Sequence, residues 1–405
     1  MKNRNLKKVI ISKKAEKSIL LGHPWIFNGE IINKEDNIKN GDIVDVVNEN
    51  NKYLGSGFYN DNSKIIIRLI SRNANDLFDE DFFRRRIRYA IDYRLTVMEN
   101  ELNSFRVVFG EADELPGLTV DKFNNYLVVQ ILSLGIELRK DMILKVLYEE
   151  MNKSNFNILG IYIRNDVDIR EKEGLEQYKG WYDLGIEIPN NTKTEIIEND
   201  IKYIVDIENG QKTGFFLDQK YNRLAIRKIA KGRNVLDCCT HTGSFAMNAY
   251  IAGAKKVTAV DISEKAISDS IENFKINNMN IDTICKDIFE LLKELSEKKN
   301  KEYDFIILDP PAFTKSRKTI NNALKGYQEI NYLALKSIPR GGYFATASCS
   351  HFATEELFLN SIYKASLDAN VKLKMVSYSG ASYDHPVLIG VDETQYLKFY
   401  IFQVI

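Results

Sequence analysis

A chain of 405 residues is too long for one ordinary domain, and its 44 % apolar and 28 % charged content is that of a protein able to build real cores. Lys plus Arg and Asp plus Glu are equal at 56 each, so no overall basicity recommends a nucleic-acid partner, and such a surface has to be a local patch. No apolar run is long enough to span a membrane, no signal-peptide core follows the charged N-terminus, and four cysteines without CxxC spacing make neither a disulfide framework nor a metal site; a cytoplasmic protein is expected.

Residues 1–73 hold short β-like runs punctuated by glycine: Lys8–Ile11, Asp42–Val47, Tyr53–Tyr59 and Lys64–Ile70. That pattern suits a small β-barrel, and with 13 Lys and Arg against 8 Asp and Glu through Arg72 the segment is mildly basic. From Asp79 to Arg94 the spacing of Phe83, Ile87, Ala90 and Ile91 predicts a helix, with arginines largely on its other faces. Leu118–Asp121 and Tyr126–Leu132 read as strands around the turn Lys122–Asn125, and Glu137–Asn152 as a helix, so residues 74–185 form a central α+β segment.

From about residue 230, within a segment taken as 186–405, the texture becomes regular. Strand-like runs at Asn234–Asp237, Lys256–Asp261, Asp282–Cys285, Tyr303–Asp309 and Gly342–Ser348 alternate with helical ones at Phe245–Ala252, Glu264–Asn277, Phe289–Lys299, Asn321–Ser337 and Glu355–Leu367. Strands that are apolar nearly throughout and alternate with helices indicate a parallel, doubly wound α/β sheet.

Such sheets bind ligands outside the carboxyl ends of their strands, and four acids stand at those ends: Asp237, Asp261, Asp287 and Asp309. Asp261 ends the second strand, where a carboxylate accepts hydrogen bonds from ribose hydroxyls. The first loop, Cys238–Gly243, lacks the Gly-x-Gly-x-x-Gly cradle of a dinucleotide pyrophosphate. Asp237 would instead welcome a cofactor with a cationic amino-acid end and no phosphate, and S-adenosylmethionine is one. A lone Asp at a strand end is also a common helix N-cap; four in order, the last in Asp309-Pro-Pro-Ala-Phe313, favour the cofactor.

The order of these motifs resembles that of the class I S-adenosylmethionine methyltransferases, whose fold is Rossmann-like. The string Asn209-Gly-Gln-Lys-Thr-Gly-Phe-Phe-Leu-Asp-Gln219 is similar to one branch, the large-subunit ribosomal RNA cytosine-C5 methyltransferases with an N-terminal PUA domain. Gly22-His-Pro-Trp-Ile-Phe-Asn-Gly-Glu30 and Gly41–Val47 resemble that PUA domain, and Glu114–Asp121 resembles the family's central domain. The resemblance implies that Asp237, Thr240 and Gly243 line the methionine end, Asp261 the ribose and Asp287 the adenine amino group. It implies that Asp309 sits where methyl donor meets base, and that the loop from Lys212 to Asp218, with Thr213 and Phe216, closes over the cofactor. Where relatives often carry an aromatic and hydroxyl-rich first loop, this chain has Cys238-Cys239-Thr-His241, and the two cysteines read as packing residues.

Cytosine C5 attacks a methyl group only after a thiolate adds to C6 and breaks the ring's aromaticity. Cys349, in Thr346-Ala-Ser-Cys-Ser-His351 just after the fifth strand, falls on the same rim as Asp309 and resembles the family's nucleophile motif; a buried structural cysteine is the bland alternative. His351 assists the thiolate or serves as a loop residue, and the base that takes the C5 proton is not named by the sequence. Asp309 is expected on cytosine N3 or N4. For RNA, the resemblance implies a binding role for the N-terminal domain; Arg84, Arg85 and Arg88 form a candidate track, with Lys315 and Arg317 after the Pro-Pro loop. An exposed helix face and a solvated loop account for the same cations. The partner expected is large-subunit rRNA, with a homodimer left open. Two further readings stay open: methylation of another atom, such as a guanine exocyclic nitrogen, with Cys349 structural; and a non-catalytic RNA-binding or assembly factor.

Overall fold

Where the sequence alternates apolar and polar residues near the N-terminus, the chain pairs into a sheet. A computed structural model describes residues 4–314 and 317–405, with Arg317 described by its backbone only. By contact density the chain divides into two compact units. One takes the chain up to Ile196 with Val205–Leu217 and Tyr383–Thr394; the other takes Ile197–Ile204, Asp218–Ser382 and Gln395–Ile405.

The first unit opens with Lys8–Ile11 (β1), the helix Lys13–Leu20 (α1), Trp25–Phe27 (β2), Ile31–Lys34 (β3), Ile43–Val47 (β4), Tyr53–Tyr59 (β5) and Ile65–Ser71 (β6). The six strands form one sheet in the order β2-β6-β5-β4-β1-β3, with β1 and β4 parallel and the other pairs antiparallel. Val9, Ile11, Val44, Val46, Ile66 and Ile67 belong to one apolar core with Ala15 and Ile19 of α1. Glu80–Val97 (α2) follows, capped by the Asp79 carboxylate on the Phe82 N–H, then Ser104–Phe109 (β7), Leu118–Phe123 (β8) and Tyr126–Ile131 (β9). The helix expected over Glu137–Asn152 is two, Leu134–Glu137 (α3) and Lys140–Lys153 (α4), with Arg139 out of helical conformation between them. Gly160–Arg164 (β10) and Lys179–Trp181 (β11) complete a five-stranded sheet, β11-β10-β9-β8-β7. Lys193–Glu198 (β12) and Ile201–Asp206 (β13) form a two-stranded ribbon.

The second unit contains Lys220–Ala225 (α5), Arg227–Ala230 (α6), Asn234–Cys238 (β14), Ser244–Ile251 (α7), Lys256–Asp261 (β15), Glu264–Ile276 (α8), Asp282–Cys285 (β16), Ile288–Glu297 (α9), Phe305–Leu308 (β17), Ile320–Ser337 (α10), Tyr343–Ser348 (β18), Glu355–Asp368 (α11), Leu373–Ser379 (β19) and Lys398–Val404 (β20). Its sheet runs β16-β15-β14-β17-β18-β20-β19. The first five strands are parallel, and β20 and β19 close the edge antiparallel. Strand order reverses between β14 and β17, the switch point beyond whose carboxyl ends such sheets bind their ligands. Leu236, Cys238, Leu308, Tyr327, Phe344, Phe358 and Tyr400 lie in one apolar core beneath it. The five predicted parallel strands are all present. β19 and β20 lay outside the expectation.

Candidate active site

The loop after β14 is built on left-handed backbone: φ is +62° at Cys239, +51° at His241 and +82° at Gly243. Gly243 is obligatory twice over, since a Cβ there would lie 2.3 Å from the Phe274 ring of α8. Cys238 is buried in the core and Cys239 packs against it, as expected of packing residues. The coiled loop delivers the Thr240 hydroxyl to Asp237 Oδ2 (2.5 Å) and the Ala246 N–H to the same oxygen (2.9 Å). Asp237 Oδ1, equally buried, has no hydrogen-bond partner among the described residues, and neither has Thr242 Oγ1. Burial pushes the Asp237 carboxyl up to about 7, with Asp309 and Asp261 adding repulsion against Thr240 and Ala246. A buried carboxylate oxygen without a donor is costly unless a cation reaches it. The donor set thus fits the ammonium of a bound amino-acid moiety.

Asp261, at the end of β15, accepts the His241 N–H on Oδ2 and the Ser263 N–H on Oδ1, both at 3.0 Å. These bonds orient the carboxylate and leave further lone pairs for hydroxyl donors. Exposed Ile262 follows it as an apolar surface (68 % exposed). Asp287 is the N-cap of α9, its Oδ1 accepting from the N–H groups of Phe289 (2.8 Å) and Glu290 (3.2 Å). The common structural use of a strand-end Asp therefore holds at this position.

Asp309 follows β17. Gln219 donates from Nε2 to its Oδ2 at 3.0 Å; the Asn222 amide donates to Gln219 Oε1 (2.6 Å), and the Ser379 hydroxyl donates to Asn222 Oδ1 (2.6 Å). Each step fixes which end of an amide is donor, so Asp309 meets an N–H and is held as an acceptor. Phe313, at the end of the Pro-Pro loop, packs on Tyr327 of α10 with centroids 4.6 Å apart.

Cys349 is half-buried between two anchored serines. The Ser348 hydroxyl donates to the Tyr327 phenol (3.0 Å), and the Ser350 hydroxyl donates to the carbonyl of Thr314 in the loop after β17 (3.2 Å). The two rim loops are thereby tied together. Burial pushes the Tyr327 phenol up to about 12, and charges on both Cys349 and Asp309 act on it in the same direction. His351 Nδ1 is buried without a partner among the described residues.

The loop residues expected over the cofactor divide between the units. Thr213 and Phe216 belong to the first, where the buried Thr213 hydroxyl donates to Asp121 (2.5 Å), a carboxylate also gripped by Arg106 (2.8 and 2.7 Å). Asp218 belongs to the second; its Oδ2 accepts the Tyr396 hydroxyl at 2.6 Å and its carbonyl the Ser382 N–H at 2.8 Å. The arginines of α2 are engaged within the protein: Arg84 with Glu80, Glu149 and Glu150, Arg85 with Asp76, and Arg88 with Glu150. Lys315 lies outside the described residues, as does the side chain of Arg317, whose backbone starts a short 3-10 turn. Two residues that sequence reasoning missed stand in the site. Gln219 was visible as the last residue of the string that runs from Asn209 to Gln219, and Lys398 had no signal, because its strand follows a long irregular stretch.

Among the described residues no helix is long and apolar enough to cross a membrane. A PUA-like domain model matches residues 9–72, and an S-adenosylmethionine-dependent methyltransferase model matches residues 185–358. Proteins called ribosomal RNA large subunit methyltransferase I are similar over nearly the whole chain. That of Klebsiella pneumoniae subsp. pneumoniae is 36 % identical over 395 residues, 96 % of each chain. That of Alteromonas mediterranea is 36 % identical over 400 residues, 98 % of each. Among solved structures, a Streptococcus mutans chain assigned as a SAM-dependent methyltransferase superposes with a TM-score of 0.80 at 23 % identity, covering 98 % of this chain and 99 % of its own. A methyltransferase-assigned chain complexed with S-adenosylhomocysteine superposes with a TM-score of 0.81 at 22 % identity and the same coverage. At that identity the likeness is one of fold.

Proposed function

The chain belongs to the S-adenosylmethionine-dependent ribosomal RNA large subunit methyltransferase I family, and from that premise we propose that it methylates carbon 5 of a cytosine in large-subunit rRNA through a covalent adduct with Cys349. The observation that carries the reading is the anchored, half-buried position of Cys349, with its flanking serines tied to the Pro-Pro loop and to the tyrosine beneath it.

Bound S-adenosylmethionine supplies an electrophilic methyl group and is released as S-adenosylhomocysteine. Asp237 holds the ammonium on its open oxygen, with Thr240 and Gly243 shaping the loop; Asp261 accepts from the ribose and Asp287 from the adenine amino group. Asp218, in the loop that precedes α5, flanks the cofactor. Asp309, kept an acceptor by Gln219, receives the cytosine N4 amino group. An acceptor there favours cytosine over uracil, which presents a carbonyl at the same position. The target base must leave its stack to enter, which unfolded or single-stranded RNA makes cheaper. The Cys349 thiolate adds to C6, electron density moves to C5, C5 takes the methyl group and loses its proton, and elimination restores the C5–C6 double bond and the thiolate.

RNA containing 5-fluorocytidine tests this, because fluorine cannot leave as a proton and elimination stops. Incubation with S-adenosylmethionine is expected to yield a denaturation-resistant protein–RNA complex whose cross-linked peptide contains Cys349, and Cys349→Ser is expected to abolish both complex and methylation. Full methylation by Cys349→Ser would move the target to another atom and make the thiol structural.

A further inference from the structure

The antiparallel partner of Ser348 in the sheet is Lys398, the first residue of β20. This lysine is only 2 % exposed. Its Nζ donates to the carbonyls of Ser350 (2.7 Å) and Tyr396 (3.0 Å), so its amine reaches across the ladder to the turn that carries Cys349. Lysine is almost never fully buried unless its charge is matched. Glu355, at the start of α11, is exposed and accepts the Tyr378 hydroxyl on Oε2 (2.8 Å). Among the described residues, the other ionisable groups around the turn include the Cys349 sulfur, which acts on Lys398 through space, the Tyr327 phenol of α10, Asp309 beyond it and His351. Burial pushes the ammonium down to about 8, against the opposing pull of Cys349 and then Glu355. In its neutral form the amine has two N–H groups, as many as the two carbonyls accept, and one lone pair.

We propose that Lys398 is the residue that activates Cys349, taking the thiol proton onto Nζ and then holding the thiolate beside an ammonium. The proposal rests on the reading of Cys349 as nucleophile and adds to it the group that makes the nucleophile reactive. The S–H bond breaks as an N–H bond forms; the sulfur lone pair then forms the bond to C6. After methyl transfer the C5 proton leaves to solvent, the S–C6 bond breaks, and the thiolate returns to its place beside the same ammonium. The pair is net neutral before addition and again after elimination, and carries a single positive charge while the sulfur is bonded to C6. Lys398 acts through Cys349 and not on the base, and is a positioning residue in that sense.

The test is the pH dependence of Cys349 alkylation by iodoacetamide in the full-length protein without RNA, read by peptide-resolved mass spectrometry so that Cys238, Cys239 and Cys285 do not contribute. In the unsubstituted protein the midpoint is expected roughly one pH unit or more below that of an ordinary thiol, about 8.5. Lys398→Met is expected to raise the midpoint by about one unit or more and slow alkylation at pH 7 roughly tenfold, whereas Lys398→Arg, which keeps the cation, leaves the midpoint low. Calorimetric affinity for S-adenosylhomocysteine, unchanged from the unsubstituted protein, certifies that Lys398→Met is folded. An unshifted midpoint in that folded variant overturns the proposal. Should Lys398→Met not fold, a midpoint at or above the ordinary value in the unsubstituted protein overturns it equally. Alkylation needs no turnover, so this outcome is independent of the 5-fluorocytidine result on which the nucleophile itself depends.

Discussion

A single oxygen atom, Asp237 Oδ1, states most about the proposed cofactor end of the site, because among the described residues it is buried without a donor. The carboxyl is raised to about 7 chiefly by burial, so the folded protein binds its proton more tightly than the unfolded chain does. The consequence has a definite sign. At this group the ligand-free protein gains stability as pH falls from about 7 towards 4, and carries an uncompensated charge above 7. A cationic ligand reverses the preference. Affinity for S-adenosylmethionine is therefore expected to fall by about tenfold per unit as pH drops below about 7, and isothermal titration across pH 5.5–8 reads it. Asp237→Asn should weaken binding by roughly ten- to a hundredfold, the worth of a charge-assisted hydrogen bond, while leaving the ligand-free melting temperature at pH 8 equal or higher. A variant that binds normally would remove Asp237 from the ammonium.

At the scale of elements, the basic face of α2 is ion-paired with neighbouring carboxylates, Arg84 closely and Arg85 and Arg88 while still 41 % and 54 % exposed. Arg84 bridges Glu80 of its own helix to Glu149 and Glu150 of α4 at 2.6–2.7 Å. Burial alone would raise the Glu150 carboxyl, but Lys153, Arg84 and Arg88 hold it down to about 2. Arg84→Ala is expected to cost about 2 kcal/mol at pH 7, between the values for exposed and buried pairs, and to lower the melting temperature by several degrees. Since Glu150 is depressed from an ordinary value near 4.5, that stabilisation is present above about pH 4.5 and is lost as pH falls towards 2; the difference between variant and parent should shrink in the same window. A large loss of RNA affinity without loss of stability would instead restore the helix to an RNA-binding role.

At the scale of the whole molecule, zero net charge limits what electrostatics contributes to RNA affinity. Each phosphate neutralised on single-stranded RNA contributes roughly 0.7 to the slope of log affinity against log salt. With the α2 arginines engaged by carboxylates, the slope for an rRNA fragment, measured by fluorescence anisotropy between about 50 and 200 mM salt, is expected to be shallower than about −3. A slope near −6 would require a cationic track that the paired arginines do not supply.

The sequence by itself determined the parallel sheet and the positions of its strand-end acids, because apolar runs punctuated by loops are local signals that need no partner to be read. It likewise placed Cys349 on the rim beside Asp309, since consecutive parallel strands present their carboxyl ends on one edge. Three things were decided only by tertiary structure. The glutamates that Arg84 of α2 meets belong to α4, and nothing in the local sequence of α2 names them. Gln219 reaches Asp309 across ninety residues of chain, and Lys398 reaches the Cys349 turn because β20, which follows a long irregular stretch, pairs with β18. Such contacts follow from which segments the sheet brings side by side, and strand pairing at long sequence separation leaves no periodicity in the chain itself.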